Sequence, residues 1–290
     1  MRRAPLLALV FTLSACMPWR EVDLGEDDTR ASINSIHCTP SSIVLRVYPS
    51  RFVFRGTEHA SIPNAPSINA EHAWVAPDET VFMADSENGF RFAGDTWETL
   101  PLEPAPYAIE TVWGTSAEHV YMVDRGRVYV LEGDHFQGYD AGTWRHLTSV
   151  WSSGDGDLWV AGQDGVVRVH TGGRWIDRSP PTRELLRGIT GSSASRVWVW
   201  SENEIWAWDG HRWVDRFGSL DRWVTTVLDG GGEDIYAGDA SGIARFVNGR
   251  WERLQATGFV ERWPHELCLT DDELVTHTIG VQARARRSRP

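Results

Sequence analysis

Lysine is absent from the 290 residues: all 28 basic side chains are arginine, set against 40 aspartates and glutamates for a formal charge of −12. Such an acidic balance makes nucleic acid a poor partner. Cysteine is scarce, at three, and no C-x-x-C occurs. The ten histidines are singletons without H-E-x-x-H or His-x-His, so no zinc ligand set is in view. G-x-G-x-x-G and the G-x-S-x-G elbow are also missing, and a Cys-His site has no support. No catalytic residue, metal or cofactor is therefore expected. Asp155 and Asp157, like Asp229 to Asp234, faintly resemble a calcium loop, but the remaining oxygen positions are missing, and turn chemistry accounts for them. Helical periodicity is lacking throughout. What abounds is tryptophan, at 16, among 27 glycines in a chain that is 41% hydrophobic. That is core enough for a globular fold of short strands and turns.

The longest apolar run, Leu6 to Leu13, follows Arg2 and Arg3 and precedes small residues. It is far shorter than the roughly 20 residues of a spanning helix, and reads as an export signal over residues 1–15. Leu13, Ser14, Ala15 and Cys16 resemble the bacterial lipobox at all four positions. The resemblance implies cleavage before Cys16 and acylation of its thiol, hence a lipoprotein held at the bacterial outer membrane or periplasmic face, since two acyl chains anchor stably. The alternative is an ordinary signal peptide with a chance cysteine.

Self-similarity organises the rest. Taking one residue per unit as a marker, Trp74, Trp113, Trp151, Thr190 and Leu228 are spaced 39, 38, 39 and 38 apart. Seven residues after each comes an apolar pair, such as Leu158 and Trp159. A second series, Trp97, Phe136, Trp175, Trp213 and Trp251, keeps the same period. Extrapolation adds weaker units at His37 and Leu267, as terminal repeats do. Each unit reads as four strands, A innermost to D outermost; after Trp144 they are TSVWS, DLWVAG, GVVRVH and RWIDR. Antiparallel quartets at this period predict an all-β, seven-bladed β-propeller over residues 36–283. ETVWGTSAEHVYMV and RVHTGGRW resemble a bacterial propeller repeat of the type VWGSSxxDVWAVGxxGxIxHxDGxxW, and loosely the photosystem assembly factor family. WD40 signatures do not recur, and the Asp-box keeps only its Gly and aromatic, which puts sialidase chemistry in doubt. Both aromatic series are expected as packing between blades.

The last unit runs out after three strands, leaving an open edge. MPWREVDL, after Cys16, looks like GRWERL and DTWETL in the outer-strand slot, so residues 18–24 are expected to close the ring. Otherwise residues 17–34, within the lipidated N-terminal segment 16–35, are simply a tether from the membrane. Cys38 and Cys268 follow the first and last markers; they are either bridged, as export permits, or two buried thiols. Residues 284–290 read as a basic tail, frayed or drawn to anionic lipid or polymer.

Connections from a D strand to the next A strand vary most, and three carry a Trp beside an Arg: Trp144 and Arg145, Arg222 and Trp223, Arg262 and Trp263. With the B-to-C turns, bearing Asp85, Glu87, Asp124, Asp164, Glu202, Glu204 and Asp239, they are expected to form one face. Such a face suits sugar or peptide, although aromatics tucked against blade edges would produce the same pattern. The functional expectation is a monomeric, non-enzymatic binding or assembly scaffold for an envelope protein or polysaccharide. Its rival is a glycan-acting hydrolase or lyase, which would need convergent carboxylates or arginines at inner-strand ends.

Overall fold

The computed structural model describes residues 9–12, 33–40, 42–47, 51–55, 61–62, 72–93, 95–221, 223–232, 234–254, 264, 266–270, 273–278 and 281–286. Short β-branched and aromatic runs between Gly and Asp turns form strands throughout, with one 3-10 turn at Gln163–Gly165 as the only helical element among these residues. The N-terminal strand is β1 (Leu9–Thr12). The His37 unit then contributes β2 (Ile33–Cys38), β3 (Ile43–Val47), β4 (Arg51–Arg55) and β5 (Ser61–Ile62). The Trp74 unit contributes β6 (His72–Val75), β7 (Val81–Ala84), β8 (Asn88–Ala93) and β9 (Thr96–Glu103), and the Trp113 unit β10 (Thr111–Ser116), β11 (His119–Val123), β12 (Arg127–Glu132) and β13 (His135–Asp140). Next come β14 (Leu147–Ser152), β15 (Leu158–Gly162), β16 (Val167–Thr171) and β17 (Arg174–Asp177) of the Trp151 unit. The Thr190 unit follows with β18 (Gly188–Ser193), β19 (Arg196–Trp200), β20 (Ile205–Trp208) and β21 (Trp213–Asp215). The Leu228 unit holds β22 (Thr226–Asp229), β23 (Ile235–Asp239), β24 (Gly242–Val247) and β25 (Arg250–Arg253), and the Leu267 unit β26 (Glu266–Leu269), β27 (Glu273–Thr278) and β28 (Val281–Arg286).

Each unit is an antiparallel meander, of four strands in the first six and three in the last, and each forms a sheet of its own except where two are fused. Parallel pairing of Phe136 with Leu102 and Gln137 with Glu103 joins β13 to β9, making eight strands of the Trp74 and Trp113 units. The marker's meaning is a matter of register. Trp74, Trp113, Trp151, Thr190 and Leu228 each sit opposite the second member of the apolar pair, namely Phe82, Tyr121, Trp159, Trp198 and Tyr236. At the ends the register slips, with His37 facing Val44 and Leu267 facing Thr276, which is why those repeats match weakly.

The core lies between units rather than within them. Trp151, Trp159 and Val169 of one sheet pack on Ile189, Val197 and Trp208 of the next, and Trp198 and Ile205 pack on Val227, Ala237 and Trp251. Marker tryptophans reach across these interfaces onto glycine. A Cβ at Gly114 would fall 2.8 Å from the Trp74 ring, and one at Gly191 2.9 Å from that of Trp151. Outer-series tryptophans also cross: the indoles of Trp213 and Trp251 donate to the carbonyls of Arg178 and Arg216 in the preceding units. At the two ends of the chain, β2 packs on β26, the Ile36 amide donates to Glu266 Oε2 at 2.7 Å, and Cys38 and Cys268 are bonded with Cα atoms 5.5 Å apart.

Two expectations about the termini meet a different arrangement. Residues 18–24, expected beside the last strand, lie outside the described residues, as does Cys16. The strand beside β28 is instead β1, parallel, running from Leu9 opposite Ala283 to Thr12 opposite Arg286. An apolar, β-prone run pairs readily with an open edge, and the N-terminal run is such a segment. The basic tail expected from residue 284 also begins too early, since residues 284–286 belong to β28 and pair with β27.

Candidate binding face on the D-to-A connections

The D-to-A connections are long, variable and poor in periodic apolar residues, so something other than sheet pairing must hold them. The B-to-C turns do this. Asp124 is almost fully buried at the end of β11 and accepts the amides of Tyr107 at 2.7 Å and Ala108 at 3.4 Å, from the connection that leads into the same unit. Asp239, completely buried, accepts both Arg253 Nη atoms, at 2.6 and 2.5 Å, and the Asp221 amide at 2.8 Å. Glu202 pairs with Arg187 at 2.5 Å, and Asp164 with Arg145. Asp85 caps its own turn by accepting the Glu87 and Asn88 amides, and Glu204 accepts the Trp206 indole. The contacts bring turn and connection onto one face, and most of the carboxylates expected there as ligand groups are engaged in holding its loops.

Of the six residues singled out by sequence, Arg222, Arg262 and Trp263 lie outside the described residues. Trp144 is 82% exposed, with the Arg145 guanidinium 5.3 Å from its ring centroid. Trp223 is 50% exposed and sits in the left-handed region at φ 71°, where its amide donates to the Glu202 carbonyl at 2.7 Å. A bulky residue there is strained, a condition that persists only where surrounding contacts dictate it. The structure adds two residues that attention to Trp-Arg pairs missed. Tyr107 is 66% exposed over the Arg125 guanidinium, 3.4 Å from its centroid, and Leu185 is exposed in the next but one connection. Tyr107, Trp144, Leu185 and Trp223 lie six, seven, five and five residues before successive markers. Comparing apolar residues of every type at that offset would have found them. Apart from Tyr139, these four are all the large exposed hydrophobics among the described residues, one on each of four connections.

Two depressions flank the Arg145–Asp164 pair. One, of about 360 Å³, is lined by His146, Gln163, Asp164, Arg183 and Leu185. The other, of about 350 Å³, borders Trp144 and includes Arg145, Arg168, Asp177 and Ser179. Burial would raise the pKa of Asp177, but the Ser179 amide and hydroxyl, then Arg168 and Arg145, outweigh it and hold the carboxyl below its ordinary range. Gly142, at φ 69°, leaves room for Arg168 on this side, since a Cβ there would lie 2.8 Å from its Nη2.

On the opposite ends of the strands, Asp229 and Asp234 are committed to protein contacts. Asp229 meets Arg196 at 3.1 Å, the Trp198 indole at 3.1 Å and the Ser192 hydroxyl at 3.2 Å, and Asp234 pairs with Arg245 at 3.1 Å. At these two positions the carboxylates of the calcium-like pattern are spent on ion pairs, and Asp229 also accepts the Gly231 amide of its own turn at 2.9 Å. No group of three His, Cys, Asp or Glu able to hold a metal occurs among the described residues.

No known family matches the sequence, and no curated protein does. Solved structures do match, β-propellers among them. A catalytically inactive virginiamycin B lyase from Staphylococcus aureus, with quinupristin, aligns at TM-score 0.74 and 13% identity over 88% of this chain and 94% of its own. The WD40 propeller domain of Doa1 aligns at TM-score 0.68 and 11% identity over 96% and 95%. YCF48 bound to D1 peptide aligns at TM-score 0.60 and 14% identity over 79% and 84%. The fold is a β-propeller.

Proposed function

We propose that the chain is a lipid-anchored envelope scaffold, a closed seven-bladed propeller whose D-to-A face binds a partner without chemical turnover. The observation that carries the reading is the row of exposed Tyr107, Trp144, Leu185 and Trp223 on successive connections, held up by carboxylates already committed to the loops. Aromatic and arginine side chains are the groups that anchor interfaces. A propeller of similar fold holding a peptide, YCF48 with D1 peptide, lends support from fold alone.

Packing of β2 on β26 supports closure of the ring between the first and last units. Cleavage before Cys16 would remove β1 and reopen the edge of β28, and residues 18–24, with their outer-strand pattern, would then take it. Acylated Cys16 would set the ring at the membrane. Replacing Cys16 with Ala is expected to abolish lipid labelling and release soluble protein; unchanged membrane partitioning refutes the anchor. For the scaffold, capture from detergent-solubilised envelopes is compared between the acylated protein and a Trp144→Ala, Trp223→Ala, Trp263→Ala variant that still folds. A specific partner lost by the variant is the expected result. An identical capture profile refutes the face, and turnover in a glycan-hydrolysis screen refutes the non-enzymatic reading.

A further inference from the structure

The depression beside Trp144 has a composition that selects among ligand classes. Its charged side chains are two guanidiniums, Arg145 and Arg168, and two carboxylates, Asp164 and Asp177. Arg145 is ion-paired to Asp164, and Arg168 faces Asp177 across the β16–β17 ladder. The lowered pKa of Asp177 keeps it charged at neutral pH. The lining is therefore formally neutral: an ionic ligand at Arg145 or Asp164 would have to compete with a pair already made, and one at Arg168 or Asp177 would meet the opposite charge across the ladder.

Polar capacity nevertheless remains. Among the described residues Arg168 makes a single hydrogen bond, a long one of 3.4 Å to the Trp175 carbonyl, so most of its five donors are unspent. Thr143 adds a hydroxyl that accepts the Arg145 amide at 3.1 Å and has its proton left to give, while the Ser179 hydroxyl is spent on the Val167 backbone. Fixed donors and acceptors lining the same depression match ligands whose neighbouring groups are each both donor and acceptor, which is the chemistry of vicinal hydroxyls. Beside them stands an indole backed by Arg145 and still 82% exposed, a flat apolar platform for the C–H face of a six-membered ring. At about 350 Å³ the space lies at the small end of small-molecule sites.

From this juxtaposition we infer that the Trp144 depression is a subsite for an uncharged pyranose residue, so that the partner of this face is a neutral polysaccharide. The inference rests on the preceding assignment of the face as a binding surface and adds the class of ligand. Arg145 and Asp164 would orient one edge of the sugar, Arg168 and Asp177 the other, with Trp144 stacked on the ring.

The test uses the whole mature protein on a glycan array spanning neutral and acidic polysaccharides, followed by titration calorimetry with neutral tetrasaccharides of glucose, galactose, mannose and N-acetylglucosamine. Polygalacturonate oligomers and an acidic peptide serve as contrasts. At least one neutral oligosaccharide is expected to bind, tenfold or more weakly to Trp144→Ala and within about threefold of wild type to Trp144→Tyr, which keeps an aromatic platform. Asp164→Asn, which releases Arg145 from its partner, is expected to shift preference toward the polygalacturonate oligomers. The inference is overturned if no neutral glycan binds, if Trp144→Ala binds as wild type does, or if only the anionic oligomer or the peptide is held. Envelope capture that still depends on these tryptophans while every neutral glycan fails would sink the sugar and leave the face standing. Capture unaffected by their loss would sink the face itself.

Discussion

Replacing Cys38 and Cys268 together with serine should loosen the junction between the first and last units. The bridge spans 230 residues of sequence, nearly the whole fold. In the chain-entropy treatment the stabilisation grows as the logarithm of the loop, and a loop of this length is worth about 5 kcal/mol through the unfolded state. What would remain at the junction is non-covalent: packing of β2 on β26 and the Ile36 amide on Glu266. For a chain of this size the loss corresponds to a melting temperature lower by roughly 10 °C. Calorimetry of the mature wild type and the double variant at pH 7 measures it, and thiol titration of the denatured, unreduced protein checks that Cys38 and Cys268 carry no free thiol. A shift below about 2 °C would refute the reasoning, because the junction would then be held without the cross-link. Two free thiols would refute its premise.

Gly191→Ala places a Cβ 2.6 Å from the Arg196 carbonyl and 2.9 Å from the Trp151 ring, so a loss of about 1–3 kcal/mol in urea unfolding is expected; unchanged stability would mean the marker tryptophan is not seated there. Asp239→Ala leaves Arg253 without its two-pronged partner and the Asp221 amide without an acceptor. That should cost about 3 kcal/mol and speed amide exchange around Asp221, whereas wild-type exchange would show that the turn does not hold the connection. Asp177, with its pKa depressed in the fold, contributes stability present above the ordinary aspartate value near 4 and lost as pH falls through the folded value. The gap in melting temperature between wild type and Asp177→Asn should therefore be open at pH 7 and close in acid, and a gap constant with pH would contradict the assignment.

Much of the strand plan is legible in the sequence because it depends on local periodicity. The Trp151 unit reads as TSVWS, DLWVAG, GVVRVH and RWIDR, and the strands run Leu147–Ser152, Leu158–Gly162, Val167–Thr171 and Arg174–Asp177. Every unit meets the same packing problem, so the same residue types return at the same offset. The candidate face is legible only in outline. Trp144 and Trp223 stand out for breaking the period beside an arginine, while Tyr107 and Leu185 carry no such flag, their exposure being a property of the loop and not of the residue. The spacing sets the B-to-C carboxylates beside the connections but does not reveal their employment. Whether Asp124 meets a ligand or the Tyr107 amide depends on a connection 16 or 17 residues earlier, and no spacing rule encodes that.

The sequence by itself determined the all-β character, the repeat of about 38 residues and the placing of the two aromatic series, because strand alternation and turn residues act over a few positions. Only the tertiary structure decided which groups are spent and which are free. Asp239 and Asp229 vanish into ion pairs across strands and units, and a marker tryptophan is received by a glycine in the next sheet. Trp144 is left in solvent beside a depression. Partners brought together across dozens of residues are selected by packing and desolvation of the whole fold, which a local pattern cannot register.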